Sequence, residues 1–227
     1  MDALILSGGQ GTRLRGLVED RPKTMAEVKG TPFLDLLLEL LENSGFTRII
    51  LCLGYMAEYI ESYYQKRGKN ILLSRENHPL GTAGAIKNAE SLIQTPHFLV
   101  LNGDTYCQID FPEFINFHLQ NKALASLVLV PSMGSNDFGQ IAIDESNRIV
   151  QFQEKSAEGK HLWYNAGIYI FDRRVLSLIP PQEKYSLEYN LFPKLLFLDF
   201  FGYRTQQKMM DIGTPQRYLE AQKYFDP

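Results

Sequence analysis

Apolar positions along the chain follow two alternating rhythms. Short continuous runs at Ala3–Leu6, Arg48–Leu53 (RIILCL), Asn70–Leu73, Phe98–Leu101 (FLVL) and Leu124–Val130 (LASLVLV) suit strands buried on both faces of a parallel sheet. Between them, Phe33–Leu41 (FLDLLLELL), Met56–Tyr64, Thr82–Ile93 and Phe111–Leu119 repeat apolar residues at helical spacing. Asp110 ahead of Phe111-Pro112-Glu113 reads as an N-cap, with proline in the first turn and an acid at the third position. Strands alternating with helices predict an α/β fold built on a doubly wound, mostly parallel sheet.

The second half changes character. Gly139–Ile143 and Arg148–Gln153, flanking Asp144-Glu145-Ser146-Asn147, read as a β-hairpin, and Trp163–Phe171 reads as a strand. Ser186–Leu198 has helical spacing, with Pro193 expected to kink or break it. Thr214-Pro215 opens a C-terminal helix reaching about Tyr224. No linker, low-complexity tract or repeat interrupts the pattern, so one domain over residues 1–227 with a small β-rich insertion is expected.

Composition narrows the function classes. At 227 residues, 44% apolar and 22% charged, the chain can bury a sizeable core and has no signature of disorder or of a disulfide scaffold. A net charge of −3 speaks against binding nucleic acid by general phosphate neutralisation. Cys52 and Cys107 lie in or beside apolar runs without a CxxC partner and read as reduced core thiols. The apolar stretch after Met1-Asp2 is too short for a secretory leader, and no run is long enough to span a membrane. A cytoplasmic protein that engages neither membrane nor nucleic acid is expected.

The densest chemistry lies at Leu6-Ser7-Gly8-Gly9-Gln10-Gly11-Thr12-Arg13-Leu14-Arg15, with Pro22-Lys23 beyond it. A glycine turn leaving the C-terminal end of a buried strand brings backbone N–H groups close to a phosphate. A Walker A loop would close on Gly-Lys-Ser/Thr, whereas Thr12-Arg13 follows Gly11. A GxGxxG fingerprint needs glycine or alanine where Leu14 stands, and a helix that starts at once. Strand, glycine loop, Gly11-Thr12-Arg13 and then Pro22-Lys23 resemble the signature of the sugar-1-phosphate nucleotidyltransferases, over nearly the whole chain. The resemblance implies a Rossmann-like fold in which Leu6, Gly8, Gly9, Gly11 and Thr12 line the nucleotide. It makes Arg13 and Lys23 nucleotide-binding and catalytic: a planar guanidinium fork and a compact ammonium would stabilise charge growing on departing pyrophosphate.

Phe98–Leu101 leads into Asn102-Gly103-Asp104, a carboxylate at the C-terminal end of a predicted parallel strand, where open α/β sheets bind ligands. By resemblance Asp104 binds a catalytic Mg²⁺, Asp211 in Met209-Met210-Asp211-Ile212-Gly213-Thr214 is its second ligand, and Asn102 and Gly103 belong to the nucleotide site. Two carboxylates with phosphate oxygens and water suit that hard, octahedral ion. Glu76-Asn77-His78-Pro79-Leu80-Gly81-Thr82-Ala83-Gly84 resembles the base-recognition segment, with Gly81 and Thr82 at the nucleotide. Thymidylyl- and uridylyltransferases usually carry glutamine three residues before the proline, where this chain has Glu76. An ionised carboxylate only accepts hydrogen bonds, and guanine offers adjacent N1–H and N2–H₂ donors to it, whereas thymine, uracil and cytosine offer no such pair. GTP is therefore expected.

Phe138-Gly139, Phe152-Gln153-Glu154-Lys155 and Tyr164-Asn165-Ala166-Gly167-Ile168-Tyr169 resemble the sugar-phosphate pocket. That implies Lys155 on the sugar's phosphate as a catalytic group, Glu154 and Asn165 on its hydroxyls, Gly139 against the sugar, and Glu188 nearby. Residues 1–130 would then be mainly nucleotide-binding, 131–210 mainly sugar-phosphate-binding, and 211–227 would carry the second metal ligand and a C-terminal helix. Ser7 stands where alanine is usual and Thr24 where proline is frequent, and neither change removes a charge or donor. The sequence ends at Pro227, so no C-terminal β-helix domain is expected. PLGTAGAIKNA, NAGIYIF and DIGTP resemble the heptose-1-phosphate and mannose-1-phosphate guanylyltransferase branch, most nearly the heptose enzymes of surface-polysaccharide pathways.

The expected reaction joins a sugar 1-phosphate to GTP, giving a GDP-sugar and pyrophosphate without a protein nucleophile. Uridylyl, thymidylyl or cytidylyl chemistry, or another sugar, remains an alternative. A catalytically silent nucleotide-sugar sensor is a second, against which the full set Arg13, Lys23, Asp104 and Asp211 argues. A glycosyltransferase would show a DxD motif, and Asp104-Thr105-Tyr106 lacks the second acid. A symmetric homodimer is the general expectation for such an enzyme.

Overall fold

Side chains of the first strand point alternately into two apolar clusters: Ala3 and Ile5 into one, Leu4 into the other. Leu99 and Leu101 are likewise separated from Phe98 and Val100. This double burial is why the strands read as unbroken apolar runs. The computed structural model describes residues 1–14, 16–67, 71–131, 140–153 and 163–224.

In chain order the first half contains Asp2–Ser7 (β1), Glu27–Val28 (β2), Thr31–Pro32 (β3), Phe33–Asn43 (α1), Ile49–Leu53 (β4), Ala57–Gln65 (α2) and Leu72–Arg75 (β5). Gly81–Asn88 (α3), His97–Asn102 (β6), Thr105–Cys107 (β7), Phe111–Gln120 (α4) and Ala125–Pro131 (β8) follow. Gln140–Ile143 (β9), Ile149–Gln153 (β10), Trp163–Asp172 (β11), Phe192–Leu195 (α5), Phe200–Arg204 (β12), Met209–Asp211 (β13) and Pro215–Tyr224 (α6) complete it. A nine-stranded sheet runs β10-β9-β11-β6-β1-β4-β5, and β8 joins β11 to β12. Strands β6, β1, β4 and β5 are parallel neighbours, whereas β11 is antiparallel to β6, β8 and β9. Helices α1, α2, α4 and α6 contribute buried residues to one cluster, and α3 and α5 to the other.

Helix α1 forms because Phe33, Leu34, Leu37, Leu38, Leu40 and Leu41 all fall on the side that the sheet covers. Asp110 caps α4 by accepting from the Glu113 N–H, as its sequence predicts. Two expectations need correction. The helix expected to Ile93 ends at Asn88, whose side chain turns to Ser74 Oγ and the Arg75 carbonyl, and a 3₁₀ turn at Glu90–Leu92 follows. The expected Ser186–Leu198 helix is one wide turn, Leu187–Leu191, then the short α5 with Pro193 in its first turn, because the chain must enter β12 at Phe200. Asp211 ends β13, paired with β7, four residues before α6 begins at Pro215. Cys52 and Cys107 are buried free thiols, and burial pushes each up to about 12. No described helix is long and apolar enough to cross a membrane.

Candidate active site

Four parallel strands end side by side, and the chemistry collects where their C-termini open. Beyond β1 the chain turns through Gly8–Gly11 into a 3₁₀ turn, Thr12–Leu14, pinned by the buried Leu14. Gly11 sits at φ +59°, and a Cβ there would come 2.8 Å from the Cβ of Lys23, so the loop requires glycine. That close approach seats Lys23 against the glycine loop. Its Nζ donates to Asp104 Oδ2, with the lysine side chain 12% and the aspartate 31% exposed.

Asp104 follows β6, and β7 begins at the next residue. In the β7–β13 pair Asp211 lies opposite Thr105, and the Ile212 N–H donates to the Asp104 carbonyl at 3.0 Å. This two-stranded clip brings together two acids that are far apart in the sequence. Asp211 Oδ1 accepts from the Gly213 N–H at 2.8 Å and from Arg217 at 3.0 Å. Burial and the charge of Asp104 push the Asp211 carboxyl up, against the pull of Lys23, Gly213 and Arg217. Burial works to raise Asp104 as well, but the charge and hydrogen bond of Lys23 outweigh it and hold that carboxyl low. Among the described residues no group of three or more His, Cys, Asp or Glu side chains forms a metal cage. Two mutually repelling, partly buried carboxylates fit a hard divalent cation that takes its remaining ligands from phosphate and water.

A cavity of about 780 Å³ opens beside this pair. Its lining comes from the glycine loop, Lys23, Asn102-Gly103-Asp104, the Arg75–Pro79 segment, the start of α3, Gly54-Tyr55 and Lys184. Glu76 follows β5, and its N–H donates to the Leu53 carbonyl at 2.9 Å. Glu76 Oε2 accepts from the Leu80 N–H at 3.0 Å, and Oε1 lies over Gly8 and Gly54. Burial pushes the Glu76 carboxyl up, against the Leu80 N–H and the charge of His78. Three buried polar atoms around the cavity floor, Ser7 Oγ, Thr24 Oγ1 and Asn102 Oδ1, have no hydrogen-bond partner.

The wide turn at 187–191 is tied to the cavity through Thr82. Thr82 Oγ1 accepts from the Leu187 N–H at 2.7 Å and donates to Glu188 Oε2 at 3.2 Å, and Ser186 Oγ donates to the same carboxylate oxygen at 2.7 Å. Asn165 Nδ2 donates to the buried Tyr169 hydroxyl at 2.9 Å, and that hydroxyl also bonds the Asn102 side chain. Asn165 and Glu188 thus reach the floor and wall of the cavity at one remove, through Tyr169 and Thr82.

Of the residues singled out in the sequence, Leu6, Gly8, Gly9, Gly11, Lys23, Glu76, Gly81, Thr82, Asn102, Gly103 and Asp104 share the cavity lining. Thr12 and Arg13 are exposed on the 3₁₀ turn and stand outside that lining, and Asp211 stands behind Asp104. Gly139, Glu154 and Lys155 lie outside the described residues. Gly54, Tyr55, Lys184 and Arg217 are part of the arrangement and were not singled out. A signal for Gly54 was present, since the glycine directly follows the end of the predicted strand Arg48–Leu53.

Residues 2–226 match the profile of the Nucleotidyl transferase family. The D-glycero-alpha-D-manno-heptose 1-phosphate guanylyltransferase of Aneurinibacillus thermoaerophilus is 36% identical over 98% of this chain and 97% of its own length. The Mannose-1-phosphate guanylyltransferase of Mycobacterium tuberculosis is 35% identical over 97% of this chain, which spans only 63% of that relative. The crystal structure of HddC from Yersinia pseudotuberculosis superimposes with a TM-score of 0.87 at 37% identity, covering 99% of each chain, and a second HddC structure is complexed with GMP-PN. A strand-end glycine loop packed against Lys23, a facing Asp104 and a profile match from the second residue to the last but one agree: the chain belongs to the Nucleotidyl transferase family.

Proposed function

We propose that this protein is a cytoplasmic, Mg²⁺-dependent sugar-1-phosphate guanylyltransferase. In this reading it condenses GTP with a sugar 1-phosphate, heptose 1-phosphate foremost, to give a GDP-sugar and pyrophosphate for surface polysaccharide synthesis. The observation that carries it is Glu76, an acceptor-only carboxylate fixed at the cavity wall between the glycine loop and the start of α3. Guanine presents two adjacent donors to such a group. The guanylyltransferase relatives and the HddC complex with GMP-PN support the same base.

In the proposed reaction a nonbridging phosphate oxygen of the sugar attacks the α-phosphorus, and the bond to the bridging oxygen breaks as pyrophosphate leaves. The attacking phosphate is already ionised, so positioning and charge neutralisation carry the catalysis. The glycine-loop N–H groups cradle the triphosphate, and Lys23 exchanges its bond to Asp104 for phosphate oxygens. Arg13, on a turn that stands clear of the cavity, closes on the leaving group. Asp104 and Asp211 would hold Mg²⁺, which supplies positive charge at the phosphates. The roles of Lys155, Glu154, Gly139, Asn165 and Glu188 toward the sugar phosphate belong to the same proposal, as do the division at residues 130 and 210 and a homodimeric assembly.

Thermal-shift titration with GTP, dTTP, UTP, CTP and ATP, with and without Mg²⁺, tests the base, since a ligand selective for the folded state raises its melting point. Selective stabilisation by GTP, lost in Glu76→Gln, is expected. Selective stabilisation by a pyrimidine nucleotide overturns the guanine assignment. Pyrophosphate release with heptose, mannose and glucose 1-phosphates then ranks the sugars.

A further inference from the structure

Gly8, Gly54 and Glu76 are the first residues beyond three neighbouring strands, β1, β4 and β5, whose ends Ser7, Leu53 and Arg75 are in register. The side chain of Glu76 runs back across Gly54 toward Gly8. A Cβ on Gly54 would overlap Glu76 Oε1, and would also stand 2.8 Å from the Gly8 carbonyl oxygen and 3.0 Å from the Gly8 Cα. A Cβ on Gly8 would meet the same Oε1 at 3.1 Å. On its other side the carboxylate is tethered by the Leu80 N–H to Oε2 at 3.0 Å. The Gly8 carbonyl accepts from the Tyr55 N–H at 3.1 Å, which locks residue 54 beside the glycine loop.

We infer that Gly54 is a specificity-positioning residue: the bare backbone at 54 is the seat that aims the Glu76 carboxylate at the base. The inference rests on Glu76 reading guanine and adds the reason it can do so. The Gly8 carbonyl is held by the Tyr55 N–H and Gly54 follows directly on β4, whereas the glutamate carboxylate can turn about its own side-chain bonds once the Leu80 N–H tether gives. Of the atoms crowded by a methyl at 54, Oε1 therefore yields most easily, and the carboxylate leaves its seat. The Gly8 carbonyl must give as well, so part of the loss falls on the triphosphate loop with every nucleotide, and the part due to the seat is read in the selectivity between bases.

The test is a double-mutant comparison of Gly54→Ala and Glu76→Ala. Each variant is assayed for the ratio of kcat/KM with GTP to that with UTP, with melting temperature as a control for folding. Gly54→Ala should lower the ratio about tenfold, the scale of losing one charge-assisted hydrogen bond, and should leave it within about twofold in the Glu76→Ala background. Equal loss with both nucleotides, an unchanged ratio, or the same drop without Glu76 overturns the positioning role. If Gly54→Ala does not fold, Glu76→Asp is decisive: it keeps the charge but is one methylene too short to lie across Gly54, so full guanine selectivity in that variant overturns the role. An unchanged ratio in Glu76→Ala itself shows that the guanine reading has failed. A changed ratio there with a neutral Gly54→Ala sinks only the seat.

Discussion

The two ends of the parallel strands bury polar groups in opposite ways. At the N-terminal end Asp2 Oδ2 accepts from the N–H groups of Gln94 and Thr95 at 2.5 and 3.1 Å, and Oδ1 pairs with Arg48 at 3.1 Å. Thr95 Oγ1 accepts from the Asp2 N–H and donates to the His97 carbonyl. His97 Nδ1 meets His118 Nε2 at 3.1 Å, and His118 Nδ1 meets Ser126 Oγ at 2.8 Å. These groups are answered from within the chain, Arg48 Nε by its ion pair with Asp2 although it makes no hydrogen bond. At the C-terminal end Ser7, Thr24 and Asn102 each keep a buried oxygen without a partner, and Lys23 donates to Asp104, whose other oxygen accepts from Thr105 Oγ1 at 3.3 Å. Unanswered capacity on an otherwise well-bonded scaffold marks the end built to receive a ligand.

This contrast predicts that changes at the C-terminal end cost turnover, while changes at the N-terminal end cost stability. The largest effect is expected for Asp104→Asn, with kcat falling roughly a thousandfold and the melting temperature little changed. A residual rate above a tenth of the parent would break the comparison at its strongest point. Arg13→Ala should lower kcat about a hundredfold while the melting temperature stays within about 1 °C, since the side chain is exposed. Unchanged pyrophosphate release would remove Arg13 from the machinery. At the opposite end Asp2→Asn leaves Arg48 without its buried partner and should destabilise by about 2–3 kcal/mol, read by urea denaturation, with kcat intact. A loss of activity in the still-folded variant would blur the division.

The smallest effect is a pH dependence of stability. Burial, then the charge of His97, depresses the His118 imidazole to about 4, although Asp172 pulls it upward. A depressed histidine binds protons in the unfolded chain before the native one, so its contribution is complete above about pH 6.5 and is lost as pH falls toward 4. Between pH 7 and 5 it should cost about 2 kcal/mol, seen as a falling melting temperature that His118→Gln flattens. An equally steep fall in His118→Gln would trace the dependence to other groups.

Much of this was legible in the sequence because it is local. Double burial makes β1, β4, β6 and β8 continuous apolar runs, and Asp110-Phe111-Pro112-Glu113 announces its own cap. The order of motifs located Lys23, Glu76 and Asp104, which the fold gathers into one cavity. Pairings between distant short segments were not legible. Strands β7 and β13 are three residues each, too short for a period, yet their pairing is what joins Asp211 to Asp104. Strand β12 follows so closely on α5 that Phe197 and Leu198, both exposed, read as helix. The seat at Gly54 is a relation between three strand ends, visible only when they stand side by side.

Strand β11 has a consequence of its own. One edge of this single ten-residue strand carries β6 along residues 168–172 and β9 at Trp163 and Tyr164, and its register against β8 slips between Asn165 and Tyr169. It therefore works as a ruler between the strand that delivers Asn102 to Asp104 and the hairpin β9–β10. The gap between those two parts is set by a count of residues at about 3.3 Å each, so inserting or deleting one residue in β11 both recalibrates the spacing and turns the side chains beyond it to the other face.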